Sequence, residues 1–117
     1  MSAPIVYGIA NCDTVKKARR WLEQHDIQHQ YHDFRRDGLT KSQLQSWLTD
    51  TDVDVILNKR SRTWRELDEQ SKANVTKAKA ITLMLEQPSL IKRPLVCVGK
   101  QLIVGFDVKR YESVFKS

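Results

Sequence analysis

The sequence is poor in the residues that define several protein classes. Its two cysteines, Cys12 and Cys97, are too few for a disulfide framework, which points to a reducing compartment. Four glycines in the whole chain leave little room for a Gly-rich phosphate loop. No internal repeat, low-complexity tract or Pro/Gly/Ser linker divides the chain. No apolar run approaches the ~20 residues that span a bilayer, so no membrane association is expected. The opening MSAPIVYGIANC lacks a basic region and a long apolar stretch, so no secretory signal is read and the expected address is the cytoplasm. His25, His29 and His32 lie close together without cysteine partners at finger spacing. No metal is assigned to them.

What is present describes a folded domain. The length of 117 residues fits a single domain, 1–117, able to bury roughly two-thirds of its unfolded surface. Leu, Ile, Val and Phe supply 31 of those residues, more than disordered chains carry. Twenty Lys and Arg against 14 Asp and Glu give a formal charge of +6. The cations cluster at Lys16–Arg20, Lys59–Arg65 and Lys92–Arg93, but no RNA- or DNA-reading motif accompanies them. They read as solvated faces, a few of them free to serve an anionic substrate, and nucleic acid is not an expected partner. Nothing in the sequence requires more than a monomer.

Periodicity and turn chemistry give the order of elements. Ile5–Ile9 reads as a strand, followed by a helix over about 14–25 with Val15, Ala18 and Leu22 inside. Gln28–Phe34 reads as a second strand, ended by the turn Arg35–Gly38. Thr40-Lys-Ser-Gln43 is a capping box opening a helix through Leu48. The stretch Val53–Asp68 holds a short helix and a loop with Asn58-Lys59-Arg60-Ser61. Asn74 is expected to cap a helix to Gln87, with Val75, Ala78, Ile81, Thr82 and Leu85 on its inner face. Leu95–Gly99 and Leu102–Gly105 form a hairpin, and Asp107 caps a last helix that turns Val108, Tyr111 and Phe115 inward. This order, β-α-β then β-β-α, describes an α/β, thioredoxin-like, mixed four-stranded sheet with a helical insertion over about 35–88.

Cys12 is the sharpest chemical feature. It stands between a strand and the first turn of a helix, where unpaired N–H groups and the positive helix end favour a thiolate. Lys16 adds a cation nearby. The bland alternative is a small buried hydrophobe, the usual fate of a free cysteine. Cys97, among Leu95, Val96 and Val98, is expected to be a core residue of that kind. Trp21, Trp47 and Trp64 have no repeating spacing and read as packing residues.

Three segments carry a resemblance: Asn11-Cys-Asp-Thr-Val-Lys-Lys-Ala18, Leu57-Asn-Lys-Arg60 and Ile91-Lys-Arg-Pro94. In order and spacing they resemble the glutaredoxin-coupled arsenate reductase family, most of all its YffB branch, related to the Spx regulators. The resemblance spans essentially the whole chain. It implies that Cys12 is the nucleophile and that Arg60 and Arg93 bind the anionic part of a substrate. Pro94 matches the proline that is cis in thioredoxin-like folds, beside which the backbone meets an extended thiol ligand. No bound cofactor is implied; glutathione or glutaredoxin is the implied co-substrate. Two departures stand out. Arsenate reductases of the family carry another arginine after the last strand, where this chain has Gly105-Phe-Asp107, and Val15 stands where the second cysteine of the C-x-x-C found in several Spx regulators would be. The resulting expectation is a thiol oxidoreductase whose Cys12 attacks an oxyanion or disulfide substrate and is resolved by an external thiol. The alternative is a non-catalytic, Spx-like regulator that binds RNA polymerase or another protein.

Overall fold

β-Branched and aromatic residues near the start of the chain suit a strand flanked on both edges. In the computed structural model, which describes residues 3–9, 12–49 and 51–116, they form the inner strand β1 (Ile5–Gly8). The other strands are β2 (Gln30–Asp33), β3 (Leu95–Val98) and β4 (Gln101–Val104), in the sheet order β2-β1-β3-β4. β1 runs parallel to β2 and antiparallel to β3, and β3 runs antiparallel to β4. A parallel pair needs a crossover. Helix α1 (Asp13–Gln24) supplies it, burying Val15, Ala18, Trp21 and Leu22 while Lys16, Lys17 and Arg20 face water.

The core of this unit lies on one sheet face. Val6, Val96 and Ile103 stand side by side in register and meet α1 together with Tyr111 of the last helix, Val108–Phe115. Gly8 lets α1 approach closely, since a Cβ there would lie 2.7 Å from Val15 Cγ2. The β3–β4 turn uses Gly99 at φ +58, a left-handed conformation that suits glycine. Asp107 caps the last helix by accepting from Lys109 N–H. Val108, expected inside, is 41% exposed, because Phe106 instead sets its edge against Tyr111 at 5.0 Å. The mixed four-stranded sheet with flanking helices is the thioredoxin-like topology expected from the sequence.

Contacts divide the chain into two compact units: the residues up to Asp33 with those from Arg93 onward, and Phe34–Lys92. The second unit is helical, with α2 (Lys41–Trp47), α3 (Val53–Ile56), α4 (Arg62–Arg65), α5 (Glu69–Lys72) and α6 (Lys77–Glu86). The helix Val108–Phe115 is therefore α7. The capping box forms as the sequence predicts, with Gln43 N–H donating to Thr40 Oγ1 and Thr40 N–H to Gln43 Oε1. The start of α6 differs from expectation. Thr76 accepts from Lys79 N–H as its cap, while Asn74 takes a left-handed turn at φ 50. Its buried face is Ala80, Ile81, Leu83 and Met84, leaving Ala78 and Thr82 exposed, because the larger apolar side chains claim the interior. Among the described residues, no helix is long and apolar enough to cross a membrane.

Candidate functional site

Cys12 is the N-cap residue of α1, with extended backbone (φ −100, ψ 117). Its carbonyl accepts the first helical bond, from Lys16 N–H at 3.1 Å, and its side chain makes no capping hydrogen bond. The thiol is free and half-buried, packed against the cluster of Val6, Val15 and their neighbours. The Cys12 side chain thus leaves the N–H groups of the first turn uncapped, at the positive end of the helix. Asp13, exposed in the same turn, places a carboxylate at this helix end.

The strand register brings Arg93 and Pro94 to the same end of the sheet. Tyr7 pairs with Leu95, so one step further along the register sets Pro94 beside Gly8, where β1 ends and the chain leads to Cys12. Arg93 is half-buried, and the bond from Arg93 to Pro94 is cis. Pro94 is held from behind. Its carbonyl accepts from Gly105 N–H at 2.8 Å, and the Gly105 carbonyl accepts from the Tyr111 hydroxyl at 2.9 Å. Burial raises the Tyr111 hydroxyl well above its ordinary pKa, which keeps it a donor.

Arg60 belongs to the helical unit. Its backbone N–H donates to Asn58 Oδ1, and among the described residues its guanidinium has no hydrogen-bonding partner. It lines a cleft of about 210 Å³ with Asp54, Asn58, Lys59 and Lys92. Wider depressions of about 600 Å³ lie beside Arg19 and His29 and between α2 and α6; neither is lined by Cys12.

Other residues differ from their expected settings. Cys97 is half-buried rather than fully in the core; it pairs with Ile5, two register steps from Tyr7. Burial and the neighbouring Cys97 push the Tyr7 hydroxyl above its ordinary pKa. The histidines are taken up by packing and hydrogen bonds: His25 lies on Trp21 at 4.1 Å, His32 on Tyr7 at 5.0 Å, and His29 accepts from Arg19 Nε. Among the described residues, no three metal-ligating side chains converge. The sequence shows Lys92 as one of a cluster of cations and does not single out Asp54, whose backbone carbonyl accepts from Lys92 Nζ at 2.9 Å.

Known proteins place this arrangement in a family. The ArsC family model matches residues 7–114. An uncharacterized protein of Haemophilus influenzae is 48% identical over 110 residues, which cover 94% of this chain and 96% of that protein. The structure of a YffB protein is 41% identical, with a TM-score of 0.91, covering 95% of this chain and 97% of its own. The global transcriptional regulator Spx 2 of Bacillus cereus is 30% identical over 108 residues, 88% of this chain and 79% of the regulator. With a family match running from the first strand to the last helix, the chain belongs to the ArsC family.

Proposed function

We propose that the protein is a monothiol oxidoreductase of the cytoplasm, with Cys12 as nucleophile. The observation that carries this reading is the position of Cys12: an N-cap residue whose sulfur caps nothing, at the sheet end shared with Arg93 and Pro94. With a disulfide substrate, the Cys12 thiolate attacks one sulfur, forming a mixed disulfide and expelling the other half as a thiolate. A glutathione thiolate then attacks the substrate sulfur of that mixed disulfide and releases the Cys12 thiolate. With an oxyanion substrate, the Cys12 thiolate bonds to the central atom and displaces hydroxide; one external thiol then attacks the Cys12 sulfur, leaving the bonding pair on the reduced central atom, and a second thiol attacks the resulting mixed disulfide, releasing the Cys12 thiolate and an external disulfide. Arg60 and Arg93 hold the anionic part of the substrate by charge-assisted hydrogen bonds, and the backbone beside Pro94 receives the thiol ligand.

The decisive test is turnover of a glutathione mixed disulfide by the parent and by Cys12→Ser. Turnover should vanish in the variant, and retained turnover would overturn the assignment. Arg93→Ala should raise KM roughly tenfold with little change in kcat, as loss of a charged contact does. Arg60→Ala should behave in the same way, and an unchanged KM in both would remove the two arginines from the site. A second reading has its own support in the similarity to Spx 2, a transcriptional regulator. In that reading Cys12 is a sensor, and the chain acts by binding RNA polymerase or another protein. Recovery of polymerase subunits with the protein, without turnover, would favour it; a glutathione adduct on Cys12 would favour the enzyme.

A further inference from the structure

Helices α1 and α7 start at one end of the sheet and lie side by side on one face of it. Gly8, Pro94 and Gly105 form a row across that end: the register sets Pro94 beside Gly8, and Gly105 N–H donates to the Pro94 carbonyl at 2.8 Å. From this row β1 leads to Cys12 and α1, and β4 leads to Asp107 and α7. Trp21 meets Tyr111 edge-on at 5.5 Å and Phe115 at 6.1 Å, which holds the two helices together. All of these residues belong to the sheet unit. Two strand steps separate Gly8 from Gly105, so the two helix starts are roughly 10 Å apart.

The outer surface at this end is basic. Lys16 and Lys17 on α1 and Lys109 and Arg110 on α7 are exposed, and none of these side chains has a hydrogen-bonding or ionic partner among the described residues. Asp13 and Glu112, about one turn away on the same helices, are exposed and form no ion pair with them. Lys109 and Arg110 also stand against the local rule. They occupy the second and third positions of α7, where the helix dipole favours acidic side chains, and no acidic residue stands in that turn. Apolar surface lies among these charges: Val108 is 41% exposed, and Phe106 is half-buried against Tyr111. A local rule broken without a compensating contact marks a surface kept for a partner. The sign of the charge makes that partner anionic. A single carboxylate or phosphate reaches one helix start and not both, whereas an extended peptide segment of about three residues covers the distance.

We propose that this surface docks an acidic segment of a protein that brings its own thiol or disulfide to Cys12. The docking rests on the reading of Cys12 as the reacting thiol and names the class of partner for that site. Binding through the surface can be measured without the thiol, so the two fail separately.

The test is fluorescence anisotropy with the full-length Cys12→Ser protein at low ionic strength. The probes are a labelled peptide of alternating Glu and Ser, its Lys and Ser counterpart, and a single-stranded oligodeoxynucleotide of the same charge as the first. The acidic peptide should bind saturably, and the basic one should not. Lys109→Glu with Arg110→Glu should weaken binding roughly tenfold, as should Lys16→Glu with Lys17→Glu. Lys41→Glu with Lys77→Glu, an equal charge reversal on the helical unit, should leave it within about twofold. The Lys109→Glu, Arg110→Glu protein should also unfold at a higher urea concentration than its parent, because acidic side chains suit that end of α7. Weaker binding by a more stable protein is a result that a role in folding alone does not produce. No saturable binding of the acidic peptide, or equal weakening by the reversal on the helical unit, would overturn the proposal. Tighter binding of the oligonucleotide, lost in the same two variants, would also overturn it and assign the surface to nucleic acid. Loss of turnover in Cys12→Ser is a separate result, which bears on the thiol and not on the surface.

Discussion

Tyr111 shows how one side chain can support a site from a distance. Its hydroxyl donates to Gly105, whose N–H holds Pro94, so the last helix is tied to the segment that leads into β3. Tyr111→Phe leaves the Gly105 carbonyl without this donor and should cost about 1–2 kcal/mol of stability, measured by urea denaturation. The effect should vary with pH. The folded-state pKa of Tyr111 is raised above 10, so the folded protein retains this proton where the unfolded chain loses it. Stability from this group is therefore complete below pH 10 and falls as pH rises above that value. The phenylalanine variant should show a shallower alkaline loss than the parent. Among the candidate site residues, only Cys12 was legible from local pattern alone, since a strand, a turn and a helix start can be read within a dozen residues. Arg60 and Arg93 depended on family resemblance, because a surface arginine carries no periodic signature. The meeting of Lys92 with Asp54 was not legible, because it depends on the pairing of Leu57 with Ile91, far apart in sequence.

At the scale of elements, the approach of α1 to β1 sets the position of Cys12. Gly8→Ala would drive a methyl group to 2.7 Å from Val15 Cγ2, and the overpacking should cost about 1–3 kcal/mol. Combining it with Val15→Ala opens that space, so the double variant should be less destabilised than the sum of the singles, read from a double-mutant cycle in urea. Elements whose signals are local matched the sequence reading: the alternation of α1, the Thr40–Gln43 box and the Asp107 cap. The α6 segment did not. Asn74 and Thr76 are both competent caps, and the choice fell to Thr76 once Asn74 was taken by a left-handed turn. The inner face of α6 then followed Leu83 and Met84, because a helix with apolar residues on several sides takes its orientation from packing.

For the whole molecule, charge sets the response to acid. The chain carries +6 at neutral pH, and protonating its 14 carboxylates leaves 20 Lys and Arg unopposed. Hydrogen bonds from Ser71 hold the Asp68 carboxyl below its ordinary value of 3.8. A lowered folded-state pKa contributes stability above 3.8 that is lost as pH falls below it. Stability should therefore decline below about pH 4, more steeply at low ionic strength, as followed by circular dichroism across an acid titration. The sheet order has a different kind of consequence, one for the sequence of events during synthesis. β1 leaves the ribosome before its antiparallel partner, Leu95–Val98, and the whole helical unit is made between them. The Cys12 thiol is thus carried on a nascent chain whose sheet cannot close until that unit has been made, so it meets cellular oxidants before the packing that half-buries it exists.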